Sequence, residues 1–204
     1  MKTVILINDH NGAIATLRHT LQERYDCAVK AYSGNANDPS GNGNSHGMLF
    51  HLMDDGILSD LTSSSPERRP AGIILDYQIR HGDAAQFLHR ATSGSTLWNG
   101  WSQLDQTDLD MILASLPAQH AANGGGMRLW EAFCAFIVQQ GYDLQEVFSV
   151  VPKILATTVV AGPLKDQPGV SQFMRNYGFD AKDGTDPIDM AATFANSFGL
   201  RSIQ

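Results

Sequence analysis

Polar side chains that could do chemistry stand at the ends of two apolar runs. Asn8 and Asp9 follow Val4–Ile7 directly, and Asp76 follows Ile73–Leu75. Short β-branched runs of this kind predict buried strands of a parallel sheet. Ligands bind at the carboxyl ends of such strands, so we expect Asn8, Asp9 and Asp76 to converge there. Carboxylate and amide oxygens suit a hard cation such as Mg²⁺, and a well-placed Asp can attack phosphorus.

Two more polar positions are expected near the same edge of the sheet. Thr157 or Thr158 belongs to a third buried strand, and Lys182 belongs to a short last strand. A hydroxyl and an ammonium placed there would hold the oxygens of a transferred phosphoryl group. Thr157 can equally reflect ordinary strand propensity, and Lys182 can equally be a solvated surface lysine.

The acidic and amide residues have plainer interpretations as well. Asp9 could be the N-cap of the helix that starts near Ala13, and Asp76 could cap the helix that follows it. Asn8 could simply make a hydrogen bond within its loop. The sequence alone leaves both interpretations open for each residue.

Strand and helix patterns alternate along the chain, which predicts a doubly wound parallel α/β sheet. Two stretches interrupt the alternation: a polar loop plus helix at about 34–70, and a mostly helical stretch at about 93–151. We therefore predict one domain over residues 1–204 with two insertions. The predicted strands are Val4–Ile7, Cys27–Tyr32, Ala71–Asp76, Lys153–Ala161 and Gly178–Lys182. The predicted helices are Ala13–Arg24, Met48–Leu61, Ala84–Thr92, Leu109–Leu116, Leu129–Gln140, Val170–Tyr177 and Asp189–Phe198.

Composition excludes several classes of function. A net charge of −7 argues against a nucleic-acid binder that works by bulk electrostatics. No apolar run approaches the roughly 18 residues of a membrane span. Two isolated cysteines exclude a disulfide scaffold, and the expected compartment is the cytoplasm. The seven histidines do not fall into a zinc-binding spacing.

The region before the third buried strand carries two further patterns. Gly124–Gly126 lacks the Lys-Ser/Thr of a phosphate-binding loop, so we interpret it as a flexible joint. An aromatic stripe nearby is expected to be core between this helical stretch and the sheet. Its members are Trp130, Phe133, Phe136 and Phe148.

Three segments resemble the receiver domain of bacterial response regulators. The segment ILINDHNGAIATLRHTL resembles the first strand and helix of that family, and GIILDYQIRHGDAAQFL resembles its phospho-acceptor strand. The segment PKILATT resembles the fourth strand with its switch hydroxyl. The resemblance covers roughly residues 1–33, 70–92 and 152–200, and it implies a flavodoxin-like five-stranded sheet.

The resemblance also implies roles for individual residues. Asp76 would be the phospho-acceptor and a Mg²⁺ ligand, with Asp9 as the second acidic ligand and Asn8 as a neutral member of the same metal site. Thr157 would be the switch residue, and Lys182 would contact the phosphoryl group. The implied donor is a histidine kinase or a phosphotransfer protein, and the signal would pass to a downstream protein by direct contact.

Departures from the family pattern keep a second hypothesis open. Asn8 stands where the family has its first acid, Arg80 where it commonly has Pro, and Ala84 where it commonly has Gly. Lys182 is not followed by Pro. The alternative is a pseudo-receiver that binds a protein without phosphorylation.

A third hypothesis is an unrelated flavodoxin-like enzyme with an Asp9/Asp76 site. We expect at most receiver-type self-phosphorylation and dephosphorylation as catalysis. Only Gly199–Gln204 follow the last predicted helix, so we expect a stand-alone receiver without an output domain.

Overall fold

The computed structural model describes residues 1–33, 45–54, 56–80, 107, 124–157, 163–184 and 186–203. Its five strands form a single sheet in the order β2-β1-β3-β4-β5, and every neighbouring pair is parallel. This is the flavodoxin-like doubly wound sheet that the sequence predicts. The strands are β1 (Lys2–Ile7), β2 (Cys27–Tyr32), β3 (Gly72–Asp76), β4 (Lys153–Thr157) and β5 (Phe179–Asp183).

Helices alternate with the strands within the described residues. They are α1 (Asn11–Arg24), α2 (Ser45–Asp54), α3 (Ile57–Leu61), α4 (Gly125–Gln139), α5 (Leu144–Phe148), α6 (Val170–Tyr177) and α7 (Pro187–Ser197). A short 3₁₀ turn over Leu164–Asp166 precedes α6. None of the helices in these residues is long and apolar enough to cross a membrane.

Alternate side chains of the central strands enter two separate cores. On one face, Val4 and Leu6 of β1 share a smaller cluster with Phe194 and Phe198 beneath α1 and α7. On the other face, Ile5 belongs to a larger cluster beneath helices α2 to α6. The sheet is therefore covered on both sides, which explains the nearly continuous apolar runs in its strands.

Most predicted elements lie where the sequence places them, and one helix differs. The predicted helix Met48–Leu61 is two helices, because Gly56 adopts a left-handed φ of 69° between them. Helix α7 begins at Pro187, two residues before the predicted Asp189, because the Asp186 carboxylate caps it by accepting a hydrogen bond from the Ile188 amide at 2.8 Å. The predicted helices Ala84–Thr92 and Leu109–Leu116 lie outside the described residues, as does the predicted end of β4 beyond Thr157.

Elements from both predicted insertions contribute to the larger core. Helices α2 and α3 lie within the bounds 34–70, and α4 and α5 lie within 93–151. Their buried side chains belong to the same cluster as the sheet. The aromatic stripe is confirmed as core, with exposures of 1%, 0%, 0% and 7% for Trp130, Phe133, Phe136 and Phe148.

Candidate functional site

The strand register brings the predicted polar residues to one edge of the sheet. Ile7 of β1 pairs with Leu75 of β3, and Asp76 pairs with Ala156 of β4. The residues just after these pairs therefore emerge together at the carboxyl ends of the strands. Asn8, Asp9, Asp76 and Thr157 all line one cavity of about 550 Å³ there.

Asp9 is buried and is held by the loop that follows β3. Its side chain is 6% exposed, and its Oδ2 accepts a hydrogen bond from the Arg80 amide at 2.9 Å. The Nε of Arg80 lies 3.8 Å from the same oxygen, although 60% of the Arg80 side chain is exposed. The N-cap interpretation of Asp9 is wrong, because His10 caps α1 through its Nδ1, which accepts from the Ala13 amide at 3.2 Å.

Burial and charge set the protonation of the two acids. Burial raises the pKa of Asp9, while the Arg80 amide and the Arg80 charge act in the opposite direction. Burial, together with the negative charge of Asp9, raises the pKa of Asp76 to about 7. Hydrogen bonds from the Gln78 and Tyr77 amides oppose this rise, the Gln78 amide lying 3.3 Å from Asp76 Oδ1. The Arg80 charge therefore compensates Asp9, whereas no positive charge among the described residues acts on Asp76 in the same way.

Asn8 both makes a hydrogen bond within its loop and lines the cavity, as the two interpretations of this residue suggested. Its Oδ1 accepts a hydrogen bond from the His10 amide at 2.7 Å, which fixes the turn into α1. Its side chain also belongs to the cavity lining. The amide oxygen of Asn8 is therefore already engaged in the loop.

Thr157 and Lys182 stand differently with respect to the cavity. Thr157 is 3% exposed and lines it, whereas Thr158 lies outside the described residues. Lys182 pairs with Ala156, so it occupies the same row of the sheet as Asp76, two strands away. Lys182 does not line the cavity, and within the described part of the chain its side chain makes no ion pair with Asp9 or Asp76.

The cavity extends from these polar groups onto an apolar surface. Three sheet residues, Leu6, Ile74 and Ala156, contribute to its lining from the α1/α7 side. Leu17 of α1 and Met190 of α7 line it as well. The site therefore combines a polar rim with a mostly apolar lining, which none of the sequence motifs indicates.

Two glycines of α4 position the loop that carries Asp76. A Cβ on Gly126 would overlap the carbonyl oxygen of Asp76, and a Cβ on Gly125 would overlap that of Ile79. The Gly126 amide also donates to the Tyr77 carbonyl at 3.2 Å. The interpretation of Gly124–Gly126 as a flexible joint is wrong for Gly125 and Gly126, which form the start of α4 and allow it to pack closely against the site. The sequence feature that could have indicated this close packing is the run of three glycines directly before an aromatic helix.

The two acids fit a hard divalent cation. They line one cavity, and the negative charge of Asp9 disfavours the ionised form of Asp76, a repulsion that a cation would relieve. The described residues contain no group of three or more His, Cys, Asp or Glu side chains suited to a metal. Mg²⁺ keeps several waters and needs few protein ligands, so Asp9 and Asp76 would be the residues that hold it.

Comparison with protein-family models found no matching model, and comparison with curated proteins found no matching relative.

Proposed function

We propose that this protein is a receiver of phosphoryl groups that accepts phosphate on Asp76 with Mg²⁺, in two-component or phosphorelay signalling. The observation that carries the proposal is the shared cavity of Asp9, Asp76 and Thr157 at the carboxyl edge of a sheet ordered β2-β1-β3-β4-β5. A histidine kinase or a phosphotransfer protein supplies the phosphoryl group in this proposal. The signal then leaves by contact with a downstream protein, in the cytoplasm and without direct DNA binding.

Asp76 is suited to act as the nucleophile. Its carboxylate is oriented by the amide of Gln78 and points into a cavity that a donor can enter. An oxygen of Asp76 attacks phosphorus, the bond from phosphorus to the donor nitrogen or oxygen breaks, and its electron pair leaves with the donor. The product is an acyl phosphate on Asp76.

The surrounding residues support this transfer in distinct ways. Bound Mg²⁺ would neutralise charge on the phosphoryl oxygens. Asp9 stays buried and fixed by the Arg80 amide, which keeps a second carboxylate beside the reacting oxygen. Thr157 at the end of β4 is the proposed switch hydroxyl. Lys182, which does not line the cavity, would have to reach a phosphoryl group on Asp76 from two strands away to make the proposed contact. New charge at Asp76 would act on these two strand ends and change the surface offered to a partner.

The test is phosphorylation by a small donor. The full chain is incubated with acetyl phosphate and Mg²⁺, and its intact mass is measured. We expect a gain of one phosphoryl group that hydroxylamine removes, as it does from acyl phosphates, and that EDTA prevents. Asp76→Asn should abolish the gain.

Asp180→Asn is the matched control, because Asp180 is an exposed aspartate on β5 away from the cavity. It should be phosphorylated like the unchanged protein. Absence of any mass gain, or a gain that persists in Asp76→Asn, would contradict the proposal.

One observation favours the pseudo-receiver as the second candidate. The guanidinium of Arg80 lies 3.8 Å from Asp9 Oδ2, where it already supplies positive charge to the site. A pseudo-receiver would use this charge in place of a metal. No phosphorylation together with no Asp76-dependent Mg²⁺ binding would favour this candidate.

A further inference from the structure

The cavity beside Asp76 is larger and more apolar than phosphoryl transfer requires. A phosphoryl group and a hydrated cation interact with its polar rim, where Asp9 and Asp76 lie. The remainder of its volume of about 550 Å³ faces Leu6, Ile74 and Met190. Cavities of roughly 300–1,000 Å³ with apolar walls and a few polar groups are typical small-molecule sites.

Small residues contribute to this space. Three lining residues have a small side chain or none, and therefore leave part of the cavity unfilled: Gly12 and Ala13 in the first turn of α1, and Ala156 on β4. Apolar side chains that face a void lose the contacts that close packing would give them. A ligand with an apolar body would restore those contacts.

The charges at the rim select the ligand's polar end. Asp9 and Asp76 are the acids among the described lining residues, and Arg80 and His10 are the basic ones. Arg80 lies beside Asp9, so its charge compensates that acid first. The Asp76 carboxylate accepts a hydrogen bond from a neutral group, the backbone amide of Gln78, at 3.3 Å. Asp76 is therefore complementary to a cation that carries N–H donors.

We propose that the cavity binds a small organic amine, with its ammonium group on Asp76 and an aryl or branched alkyl body against the apolar lining, of which Leu17 and Pro187 are partly exposed members. The proposal rests on the cavity and its charges and is independent of phosphoryl transfer. It therefore holds or fails in the absence of any phosphodonor or metal.

The charge requirement is tested with three probes of similar shape. The full chain is titrated with phenethylamine, 2-phenylethanol and 3-phenylpropionate, and binding is followed by ¹H–¹⁵N chemical shifts without Mg²⁺. We expect phenethylamine to bind at least about tenfold more tightly than the alcohol, and the carboxylate to bind more weakly still. Asp76→Asn should remove the preference for the amine, and Asp180→Asn should keep it. Equal affinities for the amine and the alcohol, or no binding of the amine at millimolar concentration, would overturn the proposal.

The location is tested by filling the cavity from one helix. Ala13 is half-buried and lines the cavity, whereas Ala15, two residues later on α1, is exposed and does not. Ala13→Leu should weaken phenethylamine binding about tenfold or more, and Ala15→Leu should leave it unchanged. Unchanged affinity in a folded Ala13→Leu variant would exclude this cavity as the site. The comparison of Asp76→Asn with Asp180→Asn decides the matter if Ala13→Leu does not fold.

Discussion

Asp9 and Asp76 line the same cavity and have the same type of side chain, but the groups that contact their carboxylates differ. Asp9 accepts from the Arg80 amide at 2.9 Å and has the Arg80 guanidinium at 3.8 Å. Burial, together with the repulsion of Asp9, raises the pKa of Asp76 to about 7, although two backbone amides that donate to it act in the opposite direction. Arg80 therefore compensates one acid and leaves the other available for a ligand.

Removal of the Arg80 guanidinium should strengthen metal binding. Arg80→Ala keeps the amide that donates to Asp9 but removes a charge that opposes an incoming cation. We expect Mg²⁺ affinity to rise about twofold to fivefold, the range of a largely exposed ion pair, as measured by titration calorimetry. Arg18→Ala, which removes an exposed arginine of α1, is the control with the same change in net charge. An equal increase in both variants would mean that Arg80 acts only through net charge.

A second titratable residue lies far from this cavity, in the larger core. Lys153 at the start of β4 is 6% exposed, and its Nζ donates to the carbonyls of Phe148 and Val151 at 3.2 Å each. The Nζ also lies over the rings of Phe148 and Phe179. Burial lowers the pKa of Lys153 from its usual 10.5, and the nearby Cys134 thiol acts in the opposite direction.

The lowered pKa of Lys153 predicts a gain in stability at alkaline pH. The folded protein binds this proton less tightly than the unfolded chain, so the charged lysine costs stability at every pH below its folded pKa. That cost disappears as the pH rises from the folded pKa to about 10.5. Relative to Lys153→Met, the free energy of unfolding should rise with pH in this window.

Urea unfolding at several pH values between 7.5 and 10.5 measures this difference. Lys165→Met, at an exposed lysine, should show no such pH-dependent difference from the unchanged protein. A parallel pH dependence of the unchanged protein and Lys153→Met would contradict the interpretation.

At the scale of elements, the start of α4 supports the end of β3, where Asp76 lies, and the loop that follows it. Gly125 and Gly126 let the helix backbone approach the carbonyls of Ile79 and Asp76. The same loop contains Arg80, whose backbone amide donates a hydrogen bond to the Asp9 carboxylate. The start of α4 therefore helps to position both acids. The packing of one helix thus fixes the polar rim of the cavity.

A methyl group on Gly126 should disturb this contact. The added Cβ would overlap the Asp76 carbonyl oxygen, which is backbone and cannot rotate away. We expect Gly126→Ala to lower the free energy of unfolding by about 1–3 kcal/mol, more than the roughly 1 kcal/mol that alanine gains over glycine in a helix. The measurement is urea unfolding.

Gly12→Ala is the control, because its added Cβ would meet only the side chain of His10, at 3.1 Å. Its stability should stay within about 1 kcal/mol of the unchanged protein. Equal stabilities of Gly126→Ala and Gly12→Ala would show that the close contact is not needed.

At the scale of the whole molecule, α4 belongs to the same core as the sheet. Phe133 is fully buried, and it shares a cluster with Ile73 of β3 and Leu155 of β4. The sequence placed this helix within an insertion at 93–151, a division that stays a prediction. The packing nevertheless makes the stability of α4 and of the sheet interdependent.

Phe133→Ala should therefore destabilise the entire fold. We expect a loss of about 3–5 kcal/mol in the free energy of unfolding, with β1 amides losing the same protection from hydrogen exchange. Val138→Ala, on the same helix but 53% exposed, should change stability by less than about 0.5 kcal/mol. Unchanged protection of β1 in Phe133→Ala would show that α4 is an independent unit.

Much of the site could be predicted from local sequence. Apolar runs that end on Asn8, Asp9 and Asp76 indicated buried strands and the edge where their ends meet, because parallel strands share their direction. Thr157 also lines the cavity, as its strand predicted. Lys182 lies in the expected strand but does not line the cavity, since the reach of a side chain depends on strand order as well as on sequence position.

By itself, the sequence determined the alternation of strands and helices and the chemical character of the strand ends. These features depend on residues close together in the chain, whose periodicity and propensity act locally. Only the tertiary structure decided that Arg80 meets Asp9, that Gly126 meets Asp76, and that an apolar cavity opens beside the acids. These contacts join residues from about 50 to 70 positions apart, so their energies depend on how complete elements pack and not on any local pattern.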